Sequence, residues 1–179
     1  GNMLTDDRGM TYTYNGLNRL TRVQGTGVDV SYTYNGDGLR VQKTNNITSV
    51  ITRYLWDTNN VTGYAQVVEE LQSGSVVYRY SYGPSGIVSQ TQKVGSDWIT
   101  SYFVKDATGT VRALMAEDGT VTDTFTWSAW GELLGRTGTT ECSIGLHGEY
   151  TEPETSLVYL RARWYSPDVG RFMTMDEYL

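Results

Sequence analysis

A chain of 179 residues with 14 Tyr, 5 Trp and 20 Gly, but only 3 Pro and 3 Phe, has the composition of strands and tight turns in a single domain. Its formal net charge of −6 does not supply the phosphate-neutralising surface that nucleic acid requires, and no apolar run approaches the length of a membrane span. One cysteine, Cys142, excludes an internal disulfide, and one histidine, His147, excludes a multi-histidine metal cluster.

The chain repeats. Tyr12-Thr13-Tyr14-Asn15-Gly16 returns as Tyr32-Thr33-Tyr34-Asn35-Gly36, and Asn18-Arg19-Leu20 lines up with Gly38-Leu39-Arg40. Looser copies follow at Tyr54-Leu55-Trp56-Asp57, Tyr80-Ser81-Tyr82-Gly83, Tyr102–Asp106 and Phe125–Ser128. Aromatics that alternate with Thr, Ser or Arg have a period of two and share one face of a strand. Asn15-Gly16 and Asn35-Gly36 can take the positive φ of two-residue hairpin turns, and Asp106-Ala107-Thr108-Gly109 offers a longer one. Ser73-Gly74 should reverse the chain between strands 67–71 and 75–82, and Asp118-Gly119 between strands 111–115 and 120–127. No segment carries sustained helical periodicity. The expected fold is all-β, a long antiparallel meander of hairpins. Its aromatics (Tyr12, Tyr14, Tyr32, Tyr34, Tyr54, Trp56, Tyr80, Tyr82) should stack from unit to unit on one face.

The first units run Gly1-Asn2, Asp6-Asp7-Arg8-Gly9, Tyr12-Thr13-Tyr14-Asn15 and Asn18-Arg19-Leu20. The C-terminal stretch runs from His147-Gly148-Glu149-Tyr150-Thr151-Glu152-Pro153-Glu154-Thr155 through residues 157–167 (LVYLRARWYSP) to Gly170-Arg171-Phe172-Met173-Thr174 and Asp176. Together these resemble the YD repeats and the C-terminal core motif of bacterial Rhs proteins, insecticidal-toxin C components and, more distantly, teneurins. The resemblance implies a wall segment of a spiral β-shell over 1–140 and a core, or plug, over 141–179. It implies that the shell encapsulates and presents a variable C-terminal toxin domain beginning just past Leu179. The implied partners are the rest of the parent shell and that toxin, and the implied location is secreted or cell-surface. Unpaired strand edges would also allow a homodimer.

In several members the core is an aspartyl autoprotease that uses two carboxylates. The resemblance places them at Glu152 and Asp176, with Asp168 as a rival. Two such groups can share one proton and divide base and acid roles on a water. Glu152 and Glu177 depart from the family's Asp and Pro, Ser156 from a turn Gly, Ser166 from an Asp and Met175 from a common Pro. A third reading is a teneurin-like adhesion or carbohydrate-binding module, which exposed aromatics would favour. No cofactor or metal is implied. Cys142 with His147 as nucleophile and base, and the acceptor patterns Asn46-Ile47-Thr48 and Asn60-Val61-Thr62, are read as incidental. Within the core, a strand is expected over 157–165. Tyr159 and Tyr165 should pack on the shell, Arg161 and Arg163 should share a face, and a turn at 170–172 should bury Phe172.

Overall fold

The computed structural model describes residues 1–176. Twelve strands form one antiparallel sheet in strict chain order, each bonded to the next. They are β1 (Thr11–Tyr14), β2 (Leu20–Gly25), β3 (Val28–Tyr34), β4 (Arg40–Asn45), β5 (Val50–Asp57) and β6 (Gln66–Gln72). The series continues with β7 (Ser75–Gly83), β8 (Gly86–Val94), β9 (Asp97–Lys105), β10 (Val111–Met115), β11 (Val121–Trp127) and β12 (Leu133–Thr137). A second, four-stranded antiparallel sheet follows: β13 (Tyr150–Thr151), β14 (Val158–Leu160), β15 (Arg163–Ser166) and β16 (Arg171–Phe172). A single 3₁₀ turn over Leu146–Gly148 is the one helical element among the described residues. None of those residues lies in a helix long and apolar enough to cross a membrane.

The repeat explains the sheet residue by residue. In each unit the first aromatic faces inward and is buried: Tyr12, Tyr32, Tyr54 and Tyr80 are 4–6% exposed. The second aromatic is half-buried and its polar tip donates to a main-chain carbonyl of the preceding strand. Tyr34 Oη donates to Leu20 O at 2.6 Å, Trp56 Nε1 to Arg40 O at 2.8 Å, Tyr82 Oη to Val67 O at 3.0 Å and Trp127 Nε1 to Val111 O at 2.7 Å. That role needs an aromatic with a donor, so Tyr or Trp stands there and not Phe. The pairing register shifts between the two aromatics in each case, at Thr33/Tyr34, Leu55/Trp56, Ser81/Tyr82 and Thr126/Trp127. Such bulges add local twist and bend.

The turns differ from the expected two-residue form. The residue after the second aromatic caps a longer loop. Asn35 Oδ1 accepts from Leu39 N at 2.9 Å, Asn35 O accepts from Gly38 N at 3.1 Å, and Asn35 N donates to Leu39 O at 2.9 Å. Asn15 builds the same loop with Arg19, as do Asp106 with Thr110 and Ser128 with Glu132. The positive φ falls three residues on, at Asn18 (56°) and Gly38 (84°), not at Asn15-Gly16 or Asn35-Gly36. A side-chain acceptor that mimics a turn carbonyl explains why Asn, Asp and Ser are interchangeable here. Ser73-Gly74 does form a two-residue turn, with φ of 50° and 80°.

The expected ring-on-ring ladder is also revised. The aromatic strands β1, β3, β5 and β7 alternate with β2, β4 and β6, so equivalent rings are about two strand spacings, ~9.6 Å, apart. Their ring partners come from the second sheet instead: Tyr32 meets Trp164 at 4.7 Å, Tyr54 meets Tyr150 at 5.6 Å and Trp56 meets Tyr159 at 6.0 Å. The small sheet lies on the inner face of the large one, and a joint core of Leu20, Val23, Val30, Leu157, Tyr159, Trp164 and Met173 fills the seam.

The C-terminal segment departs from the single strand expected over 157–165. Arg161, at φ 61°, turns the chain, and β14 and β15 pair as a hairpin. Arg161 and Arg163 therefore do not share a strand face. Arg161 binds Glu149 and Ala65 O, while Arg163 binds Asp176. Tyr159 is buried on the shell as expected. Phe172 is not buried. It stays 40% exposed on β16, the last strand of the small sheet, where Tyr165 meets it edge-on and Arg163 lies 3.8 Å over its ring.

Candidate functional site

The seam between the sheets is held by charge. Arg40 opens β4 at a position where alternation points inward, and its side chain is completely buried. Its guanidinium sits among five rings, with centroids at 4.2 Å (Tyr54), 4.6 Å (Tyr150), 4.8 Å (Tyr159), 5.3 Å (Trp164) and 5.7 Å (Tyr32). Two of those rings belong to the large sheet and three to the small one. Arg40 Nη1 donates to Glu152 Oε1, also completely buried. Lys43, three residues on and brought to the same face by the bulge between Arg40 and Gln42, pairs with Glu152 Oε2 and with Glu154 Oε2, each at 3.1 Å. Main-chain groups join in, with Arg40 N donating to Tyr159 Oη at 2.9 Å. Trp164 Nε1 donates to Tyr34 Oη at 2.9 Å. Cation–π contact and a carboxylate together make a buried guanidinium tenable.

Glu70 is a second buried carboxylate in the same core. It accepts from Tyr80 Oη at 2.6 Å and from Tyr150 Oη at 3.3 Å. Burial raises its pKa above the usual carboxylate range, and the Tyr80 hydroxyl opposes that shift. Burial likewise lowers the pKa of Lys43, against the pull of Glu154.

Glu152 thus serves as the counter-ion of Arg40 and Lys43, and it also closes the turn before β14, where its N–H donates to Leu157 O at 2.8 Å and its carbonyl accepts from Ser156 N at 2.8 Å. Asp176 lies elsewhere in the ionic pattern, with Arg163 at 3.1 Å. Asp168 pairs with Arg8 at 3.3 Å and lines, together with Glu152, a cavity of about 380 Å³ walled by Phe125, Trp127 and Ile144. The structure therefore brings Glu152 and Asp168 to one cavity, and gives Asp176 a different cation. Glu177 and Leu179 lie outside the described residues. Ser156, with φ of 60°, holds the turn conformation the family gives to Gly. Ser166 is buried and Met175 exposed.

The other residues singled out in the sequence have local roles. Cys142 Sγ donates to Ile144 O at 3.2 Å, and burial pushes its thiol up to about 12, which disfavours the thiolate. His147 contacts Thr108 O at 3.0 Å. Asn46 Nδ2 donates to Asp29 Oδ1 and Ser31 Oγ on the neighbouring β3, and Asn60 Nδ2 donates to Tyr64 O within its own turn. The carboxylate oxygens of Asp6, Asp7 and Asp168 lie within 4.8 Å of one another, but Asp6 already accepts from Arg8 and Tyr12.

Sequence reasoning missed Arg40, Lys43 and Glu70. A signal for the first two existed: at the twenty-residue repeat Arg40 stands on Leu20 and Lys43 on Val23, so cations occupy positions that are apolar in the first copy. Glu70 gave none, because the bulge at Leu55/Trp56 moves its strand's register.

A meandering β-wall whose inner face is closed by a C-terminal β-unit defines a shell protein. The model of the teneurin YD-shell family matches residues 3–179, and the chain belongs to that family, as an Rhs/YD-repeat protein. It is 29% identical over 178 residues to the tRNA nuclease WapA of Bacillus subtilis (strain 168), covering 96% of this chain and 7% of WapA. It is 28% identical over 154 residues to the probable deoxyribonuclease RhsB of Dickeya dadantii, covering 81% of this chain and 10% of RhsB. Among solved structures, the TcdB2-TccC3-Cdc42 crystal structure aligns with a TM-score of 0.72 at 18% identity, over 99% of this chain and 9% of that one. The chain thus spans a tenth or less of each of these three.

Proposed function

We propose that this chain is the closing end of a toxin shell, with wall over 1–140 and a closure over 141–179 that seals the wall from inside. The observation that carries this reading is the seam: a buried Arg40 on the wall is neutralised by a buried Glu152 on the C-terminal unit. Seating the closure buries the guanidinium, so only a closure that brings its own carboxylate to this slot can dock without leaving a buried unpaired charge. Relatives are named as nucleases and as a deaminase toxin, and a structural neighbour as a Tc holotoxin, which supports a variable toxic domain as the shell's cargo and a secreted or cell-surface setting. The partners are then the rest of the parent shell and that cargo. The edge strand β12 also permits a homodimer through strand pairing, whereas the outer edge of β1 is partly taken by Leu4 and Thr5. Deleting 141–179 from the parent protein should make the enclosed domain accessible to added protease. A cargo that stays protected would overturn the closure role.

Autoproteolysis is the second reading, favoured by the cavity that Glu152 and Asp168 line. In the parent protein, release of the downstream domain should stop in Glu152→Gln and in Asp168→Asn, the two carboxylates that line the cavity, and Asp176→Asn tests the carboxylate that the resemblance implies. Release that persists unchanged in Asp176→Asn removes that residue from the catalytic role. An adhesion or carbohydrate-binding role draws no support from the first aromatics of the early repeats, which are buried.

A further inference from the structure

The ion pair at the seam places an amine, a carboxyl group and a second carboxylate together. Lys43 Nζ lies 3.1 Å from Glu154 Oε2 and 3.1 Å from Glu152 Oε2. The Lys43 side chain is 9% exposed and that of Glu152 is 0% exposed, whereas that of Glu154, 23% exposed, borders a cavity of about 490 Å³. Tyr32 lies directly across the strand pair from Lys43 and shields it on the β3 side. Lys43 belongs to the wall and Glu154 to the C-terminal unit, so the two groups meet across the seam.

We propose that Lys43 and Glu154 condense to an intramolecular amide that joins the wall covalently to the closure. The chemistry follows from the arrangement. Within the pair, the Lys43 ammonium passes one proton to the Glu154 carboxylate, leaving a neutral amine beside a carboxylic acid. The amine lone pair attacks Cδ of Glu154 and the C–N bond forms. Glu152 accepts the second proton from nitrogen and delivers it to a hydroxyl on the tetrahedral carbon. The C–O bond breaks and one water leaves toward the cavity that Glu154 borders. Nothing is oxidised or reduced.

Three features favour this reaction here. Burial disfavours the charged ammonium and so makes the nucleophile available, as for other desolvated lysines. Contact between amine and carboxyl group makes the step intramolecular. Arg40 engages Oε1 of Glu152 and so orients Oε2 toward the amine, 3.1 Å from Lys43 Nζ, where it can relay the proton. The product would close a loop between positions 111 residues apart, a cross-link that restricts the unfolded chain.

The test is the intact mass of the purified, denatured protein, followed by tryptic mapping. The expected mass is lower than that of the sequence by one water. Trypsin should not cut after Lys43, and a branched peptide should join Lys43 to Glu154. Lys43→Arg should restore the full mass, and Glu152→Gln should slow linkage by about 10²-fold. Because the unsubstituted protein gives the primary reading, a variant that misfolds does not spoil it. Full mass with cleavage after Lys43, or a branch at any residue other than Glu154, overturns the proposal.

Discussion

The first and second hairpins carry the same Tyr-Thr-Tyr-Asn-Gly string, and their second strands, β2 and β4, have the same pattern of burial. Yet β2 buries Leu20 and Val23 where β4 buries Arg40 and Lys43. The backbone is indifferent to this exchange, because strand, bulge and capped turn are specified by other residues of the repeat. What differs is the opposite wall of the core. Only β4 faces Glu152 and Glu154, and only there can cations be matched. A repeat therefore supplies a slot, and its occupant is chosen by what is packed across from it.

The comparison can be broken most forcefully at Glu152. Glu152→Ala leaves the buried Arg40 guanidinium without its carboxylate and should destabilise the protein by about 3–5 kcal/mol in chemical denaturation. The paired change Arg40→Leu with Glu152→Leu makes the second hairpin like the first at this slot. It should recover most of that loss, since apolar replacement of a buried ion pair is often neutral or stabilising. If the paired variant is as unstable as the single one, the slot is not interchangeable. In the first hairpin Leu20→Ala should cost about 2–5 kcal/mol by opening a cavity in the seam.

A smaller effect sharpens the same contrast through pH. Burial raises the folded-state pKa of Glu70, so its neutral form favours folding. That contribution is full below the unfolded carboxylate value and is lost as pH rises through the folded pKa. Denaturation midpoints of Glu70→Gln should therefore fall less than those of the parent protein as pH is raised over that window. Parallel curves would mean that the Glu70 carboxylate is ionised without penalty. Asp106 acts in the opposite sense. Hydrogen bonds from Thr108, then Arg112, hold its pKa at about 2, so its contribution is present above the unfolded value and is lost as pH falls toward 2.

The smallest expected change concerns the turns that the two hairpins share. Asn35→Ala removes the acceptor for Leu39 N and should cost about 1 kcal/mol, whereas Asn35→Asp keeps the acceptor and should cost less. Equal losses in the two variants, measured by thermal melting, would show that the Asn35 side-chain acceptor does not matter.

Much of the wall was legible because its causes are local. Alternation of Tyr12 and Tyr14 with Thr sets the face, and the polar residue after the second aromatic caps the turn. The cap was misassigned to a two-residue turn because Asn-Gly suits both forms, and only the hydrogen bonds of Asn15 and Asn35 tell them apart. The break of 157–165 into a hairpin was hidden because Arg161 rarely takes a positive φ. Here its side chain is held by Glu149 and Ala65 O, contacts made far along the chain.

The sequence by itself determined an all-β repeat, the inward face of each early unit and the membership carried by the C-terminal motif, since period and turn chemistry act within a few residues. Only the tertiary structure decided that Arg40, Lys43, Glu70 and Glu152 share one seam, and that Asp176 pairs with Arg163 while Glu152 pairs with Arg40 and Lys43. Arg40 and Glu152 are 112 residues apart. Whether a charge is a solvated surface group or a buried lock depends on what the folded chain lays over it, and no local pattern encodes that.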